Sequence, residues 1–386
     1  MTEAIQPVLL GVPRPANVSA LEAALSDLWL SAAEGAGTQG AVTRACALTL
    51  LVYVESEEAA QEVNRVAAEV TRQNPCRVIV MEVEPQGSPP GLPGRLTGWV
   101  SAHAHLPLAG EKQVCSEQIT LRAEGDVGHG LTSVVLPLTV SGLPIYLWWR
   151  AEHFSPPHYL EQVFRETEHL IIDSARFLPQ GSALHQAAAW MEKYSGRVRV
   201  TDLNWARITP WRDLIAQCFD APERRAYLER LSEVRIEYEQ ESSRFLTQRA
   251  QGLLLASWLA TRLGWEFVKS EEHGEGQPRR LLFQAGNRLI RVERILQRVQ
   301  GAGAGVCFSI ELKADGPNPA RFSFSRGLDG RVVQTSAEIP GTPPLGRSVR
   351  LEVLDEAEIL NDELKLAGRD HVYEATLRMV ARTTGH

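Results

Sequence analysis

The sequence predicts an α/β fold: a mostly parallel sheet flanked by helices, followed by a β-rich α+β C-terminal region. Three observations predict it. Two short runs, 46–54 and 76–83, are almost wholly apolar, as strands covered on both faces are. The stretch between them carries Ala59, Val63, Val66, Ala67 and Val70 on one helical stripe, so strand, helix and strand should form a parallel unit. Beyond Lys269 the pattern becomes short strand-like runs separated by turn signals.

In order along the chain, residues 1–18 read as an extended arm. Asn17 or Ser19 can cap a helix carrying Leu21, Leu25, Leu28 and Leu30. Residues 34–40 are glycine-rich and read as a loop. Ser56 caps the helix that follows the first strand. Residues 99–106 and 114–122 read as strands, and 132–140 as a helix interrupted by Pro137. A strand at 144–150 ends in Trp148-Trp149-Arg150. A helix at 159–169, a buried strand at 170–173, a helix at 183–194 and a strand at 198–203 continue the alternation. Thr209 and Pro210 open a helix with Trp211, Leu214, Ile215, Cys218 and Phe219. An alternating strand begins at Val234, and an amphipathic helix at 243–263 stops at Gly264. Residues 270–278 read as a surface loop. Strands at 280–284, 289–293, 305–313, 320–326, 332–338 and 348–354 follow, with a helix at 371–382. Asp329-Gly330 is a hairpin signal between two of those strands. The expected division is an arm at 1–18, an α/β body at 19–265 and a β-rich region at 266–386.

Composition narrows the function classes. With 40 basic and 47 acidic side chains the net charge is -7, and no basic run exceeds the pairs Arg224-Arg225 and Arg279-Arg280, so nucleic acid is not an expected partner. The most apolar stretch, 252–260, is too short to cross a bilayer, and residues 1–15 lack a signal-peptide pattern, so no membrane partner is expected. Five cysteines at 46, 76, 115, 218 and 307, with long gaps and no CxxC, are neither a disulfide framework nor a zinc ribbon. A reducing cytoplasm suits them.

Catalytic motifs are absent. There is no GxxxxGK[ST] loop and no GxSxG elbow. The glycine-rich run 301–305 precedes a strand, whereas a dinucleotide fingerprint joins a strand to a helix. His103 and His105 would share one face of a strand, as two zinc ligands do, but no spacing supplies a third from His129, His153 or His158. No metal and no cofactor are expected.

What stands out is aromatic and basic together. Trp148, Trp149 and Arg150 end a strand, where α/β proteins place binding groups. Asn204, Trp205, Arg207, Trp211 and Arg212 gather at a strand-to-helix junction. Tryptophan and arginine are favoured at protein interfaces, since both bury large area and offer donors. Equally, the tryptophans can fill a core while the arginines pair with Asp173 or Asp202. A site for sugar phosphates at the strand ends near Arg150, Asp173 and Arg207 is the alternative, because arginines there suit phosphate.

Five segments carry a resemblance. They are Leu143-Pro144 through Trp148-Trp149-Arg150, Ile171-Ile172-Asp173-Ser174-Ala175, the unusual run Asp202-Leu203-Asn204-Trp205-Ala206-Arg207-Ile208-Thr209-Pro210-Trp211-Arg212, Ser257-Trp258 with Leu263-Gly264-Trp265, and Cys115 through Thr120. Together they resemble the OpcA family of glucose-6-phosphate dehydrogenase assembly proteins, over residues 40 to 330, with the family's two halves meeting near 155. The resemblance implies a non-catalytic cytoplasmic protein that binds glucose-6-phosphate dehydrogenase. It would promote the enzyme's active oligomer or conformation and feed the oxidative pentose phosphate pathway. The nine residues Trp148, Trp149, Arg150, Asp173, Asn204, Trp205, Arg207, Trp211 and Arg212 would form the contact or support it.

Overall fold

The structure is a computed structural model. It describes the chain except residues 1–8, 11, 36–42, 45, 85–93, 105–113, 126, 128, 179, 195, 240–248, 272–278, 298–306, 328–329, 344, 352–353, 367 and 385–386. The described residues build two sheets, whose helices pack on one another.

The first sheet uses β1 (Leu9–Leu10), β2 (Arg14–Pro15), β3 (Thr43–Arg44), β4 (Leu48–Val54), β5 (Cys76–Val83), β6 (Arg95–Ala104), β7 (Val114–Glu124), β8 (Ile145–Trp149), β9 (His169–Ile172) and β10 (Arg199–Asp202). Its main path runs β1-β6-β7-β5-β4-β8-β9-β10, with β2 on β6 and β3 on β7. All neighbours from β7 to β10 are parallel, and β6 is antiparallel to β7. The arm's β1 and β2 pair with β6.

Helices α1 (Val18–Gly35), α2 (Glu57–Gln73), α3 (His129–Val135), α4 (Glu161–Glu166) and α5 (Gln180–Lys193) connect these strands. Asn17 caps α1 through its Oδ1 at 3.0 Å from the Ala20 N–H, and Ser56 caps α2 at 3.1 Å from the Ala59 N–H. Pro137 removes a backbone donor, so α3 gives way to a 3-10 turn at Leu136–Leu138 rather than continuing to residue 140. The helix expected at 159–169 is likewise a short 3-10 turn followed by α4.

The sheet is apolar on both faces because it alternates through two cores. Leu50, Val52 and Trp148 point one way, against Val63 and Val70 of α2. Leu51, Tyr53, Leu147 and Trp149 point the other, against Leu160, Phe164 and Leu184.

Short helices α6 (Leu203–Arg207), α7 (Thr209–Cys218) and α8 (Pro222–Arg225) lead to β11 (Leu231–Glu239) and α9 (Arg249–Arg262). The second sheet adds β12 (Glu266–Glu271), β13 (Arg279–Ala285), β14 (Arg288–Gln297), β15 (Cys307–Ala314), β16 (Ala320–Arg326), β17 (Val332–Glu338) and β18 (Leu345–Arg350). Its order is β12-β13-β14-β11-β15-β16-β17-β18, antiparallel except for β11 on β14. Helices α10 (Glu356–Lys365) and α11 (His371–Thr384) close the chain.

Two expectations are corrected here. The strand at 231–239, assigned to the α/β body, lies in the middle of the second sheet, while α10 packs on α2 and α11 on α5 and α9. The boundary at 265 therefore separates stretches of sequence but not bodies in space. Second, the sequence predicts an amphipathic helix at α9. Every residue from Ala250 to Ala260 is buried, because α11, α5, α6 and the strands β11 and β14 enclose it. A helix enclosed on all sides has no polar face to display. Gly264 ends it at φ +66, as expected, with the Trp265 N–H donating to the Ala260 carbonyl at 2.8 Å. Residues 243–248 of the expected helix lie outside the described residues.

Candidate functional site

In a doubly wound sheet the ligand crevice opens beyond the carboxyl ends of the strands, where the strand order reverses. Here the chain runs from β4 out to β5 and returns on the other side of β4 with β8, so that point lies between β4 and β8. Arg150 follows β8 immediately, its N–H donating to the Tyr53 carbonyl at 3.0 Å.

Its guanidinium fills the crevice. Nη2 reaches Glu62 of α2 at 3.0 Å and Glu356 of α10 at 2.8 Å, Nη1 donates to the Ala59 carbonyl at 3.2 Å, and the ion lies 5.1 Å from the Trp148 ring centroid. The Arg150 side chain is 0% exposed. The position where such folds receive a ligand is thus held by this chain's own ion pairs, one of whose partners comes from α10.

The network continues along the next strand ends. Arg176 approaches Glu356 at 3.4 Å, Glu62 at 3.6 Å and Asp173 at 3.6 Å. Asp173, just beyond β9, receives Arg207 of α6 in a two-pronged contact of 2.6 and 3.0 Å. Burial opposes ionisation of Asp173, but Arg207 and then Arg176 outweigh it and hold the carboxyl below its usual range.

Asp202, at the end of β10, sits differently. Its Oδ1 accepts the N–H groups of Ser174 and Asn204, both at 2.9 Å, and so caps α6. Its Oδ2 accepts the Tyr373 hydroxyl of α11 at 3.4 Å. No cation meets it among the described residues, so burial, and then the Asp173 charge, push it up to about 6. Burial also raises Glu363 of α10 to about 7, with Asp202 and Asp370 adding to the effect against a hydrogen bond from Thr201.

From Asn204 a chain of amides crosses to the second sheet. The Gln251 Nε2 donates to Asn204 Oδ1 at 3.0 Å, and the Cys307 N–H donates to Gln251 Oε1 at 3.1 Å. Beside it, the Trp205 indole N–H donates to Asp370 at 2.8 Å, and the Arg212 guanidinium lies 3.5 Å above the Trp205 ring. Arg212 donates to the Thr209 hydroxyl at 2.6 Å, and burial lowers it to about 10. Thr209 therefore binds Arg212 instead of capping α7, whose N-cap position is Ile208.

The structure brings together Arg150, Asp173, Asn204, Trp205, Arg207 and Arg212 at one end of the first sheet. It does not bring in Trp149 or Trp211. Trp149 stacks on Tyr53, centroids 4.1 Å apart, in the opposite core, and Trp211 is on the buried face of α7. Of the nine residues only Arg207 and Arg212 reach the surface in part; the others are buried and act as framework. Sequence reading missed Glu62, Arg176, Gln251, Glu356 and Tyr373. Those at 356 and 373 stand some two hundred residues from their partners, which no local pattern reveals.

Among the described residues no group of His, Cys, Asp and Glu could hold a metal. His103 is in β6, while its side chain and all of His105 lie outside the description. No helix among the described residues is long and apolar enough to cross a membrane.

Comparison with known proteins adds the family. The family's N-terminal domain, described as that of a glucose-6-phosphate dehydrogenase subunit, matches residues 67–189. Its C-terminal domain, described in the same terms, matches residues 198–377. The halves meet between 189 and 198, not near 155, and the match takes in α10 and α11, beyond the expected limit of 330. An OxPP cycle protein OpcA of Synechocystis sp. is 27% identical over 323 residues, 82% of this chain and 65% of that one. Its counterpart in Synechococcus elongatus is 30% identical over 328 residues, 81% of this chain and 68% of that one. The chain thus spans about two thirds of the length of these curated relatives. Solved structures of an oxidoreductase domain protein from Kribbella flavida and a myo-inositol dehydrogenase from Lactobacillus casei cover 87% and 88% of this chain and 91% and 92% of their own. Their identities are 10% and 7% and their TM-scores 0.39 and 0.41, a likeness that carries no argument about function. With both domains matched in order, and a relative 30% identical along most of the chain, this protein belongs to the OpcA family.

Proposed function

We propose that this chain is a non-catalytic cytoplasmic partner of glucose-6-phosphate dehydrogenase, which it binds and shifts toward its active oligomer or conformation. The observation that carries the reading is the pair of matched domains, both described as belonging to a dehydrogenase subunit, across 67–189 and 198–377. The occupied crevice supports it. Arg150 is already paired with Glu62 and Glu356, and Arg207 with Asp173, so the alternative of a sugar-phosphate site at these strand ends would require breaking these ion pairs.

An activator shifts an equilibrium only by binding one state better than the other. A coupling of about 1–3 kcal/mol, or roughly 5- to 150-fold, is the usual scale. Trp205, Trp211 and the Asp173–Arg207 pair serve as the rigid frame beneath the contact, and the half-exposed edges of Arg207 and Arg212 can reach it.

The test is co-purification with the dehydrogenase, then kinetics at low substrate and the size distribution of the enzyme with and without this chain. Co-elution with raised activity is expected. Failure to engage the dehydrogenase at micromolar concentration, or turnover of a metabolite by the purified chain alone, would refute it.

A further inference from the structure

A second polar feature lies at the β18 edge of the second sheet. Between α7 and the last two strands, β17 and β18, is a cavity of about 270 Å³. Its floor is apolar, made of Leu214 and Phe324. Its mouth carries Arg224 and Arg347. No carboxylate is among its described lining residues, and neither guanidinium makes an ion pair among the described residues. By contrast Arg77, Arg122, Arg150, Arg176 and Arg207 each meet an acid.

Arg347 is held in place by a neutral group. Its Nη2 donates to the Gln217 side-chain carbonyl at 2.7 Å, which leaves the remaining N–H donors free to turn toward the cavity. The Cys218 thiol lines the same space. Burial pushes that thiol up, and the charges acting against burial are Arg224 and Arg347, both guanidiniums. Two cations converging on a small hollow with an apolar floor, without a counter-ion, form a receptor for a compact dianion. Guanidinium matches phosphate oxygens in pairs, and the floor suits a short carbon skeleton.

We propose that this cavity binds a small phosphate monoester of sugar-phosphate size, its phosphate taken by Arg224 and Arg347. The cavity is formed wholly within this chain, so it can be tested on this chain alone.

The experiment is calorimetric titration of the full chain with inorganic phosphate, glucose 6-phosphate and glucose. In parallel, alkylation of Cys218 and of a second half-buried thiol, Cys46, is followed by peptide mass spectrometry. Saturable binding of glucose 6-phosphate is expected, with inorganic phosphate weaker and glucose silent. The ester should slow alkylation of Cys218 and leave Cys46 unchanged. The double variant Arg224→Gln/Arg347→Gln should lose affinity about a hundredfold or more, since each charged hydrogen bond is worth about tenfold. Arg225→Gln, an exposed neighbour bound to the Asp220 carbonyl, should not. Four results would overturn the proposal: no saturable heat at millimolar ester, inorganic phosphate binding as tightly as the ester, unchanged affinity in the double variant, or no protection of Cys218. The last reads the native protein and holds even if the double variant does not fold.

Discussion

Replacing Glu356 by alanine tests whether α10 is locked to the first sheet by charge. The carboxylate bonds Arg150 at 2.8 and 3.3 Å and Arg176 at 3.4 Å, and its own side chain is 18% exposed. Removing one partner of a buried pair costs about 3–5 kcal/mol when the other ion is left alone. Arg150 is not left alone, because Glu62 remains at 3.0 Å, although Glu62 is 45% exposed and so partly screened. The expected loss is therefore about 2–3 kcal/mol, concentrated on α10. Hydrogen exchange at the α10 amides reads it directly, since local opening reports local stability. Exchange across 356–365 should quicken by about 30- to 150-fold for that loss, while β4 and β5 stay protected. Combining Glu356→Ala with Arg150→Met should recover part of the loss, because no unpaired cation then remains in the crevice. Unchanged α10 exchange in the single variant, or equal losses that simply add in the double, would refute the reasoning.

Three further outcomes follow from the same geometry. Asp202 is raised to about 6 from 3.8, so the stability it contributes is fully present below about pH 3.8 and lost as pH rises through 6. Asp202→Asn keeps the Oδ1 acceptor for Ser174 and Asn204 and removes the buried charge. It should stabilise by about 1–3 kcal/mol at pH 8 and change little at pH 4 in urea unfolding, whereas equal effects at both pH values would contradict it. Gln251→Leu leaves Asn204 Oδ1 and the Cys307 N–H without partners and should cost about 2 kcal/mol in the same measurement; a neutral result would show that the amide chain is not satisfied as described. Gly264→Ala forces a side chain into φ +66 at the end of α9 and should cost about 1–2 kcal/mol; no loss of thermal stability would count against the strained turn.

Local physics made much of this protein readable. The apolar runs at 48–54 and 76–83 could only be strands covered on both sides, and Asn17, Ser56 and Gly264 mark helix ends because capping depends on a few neighbouring residues. The aromatic and basic clusters drew attention to the right end of the sheet, and the family was legible in the run 202–212.

What those clusters do was a matter for the tertiary structure. Tryptophan and arginine look the same in sequence whether they face a partner or a core, and only the enclosing elements settle it. Trp148 and Trp149, adjacent in sequence, enter opposite cores because side chains alternate along a strand. The partners of Arg150 and Asp202 include Glu356 and Tyr373, brought by helices that return across the whole chain. Likewise the strand at 231–239 joins a sheet whose other members all follow it, because strand pairing is long-range and carries no local signature. The sequence determined the elements and the lineage; the tertiary fold decided that the crevice at the strand ends is closed by α10, a helix of the protein's own.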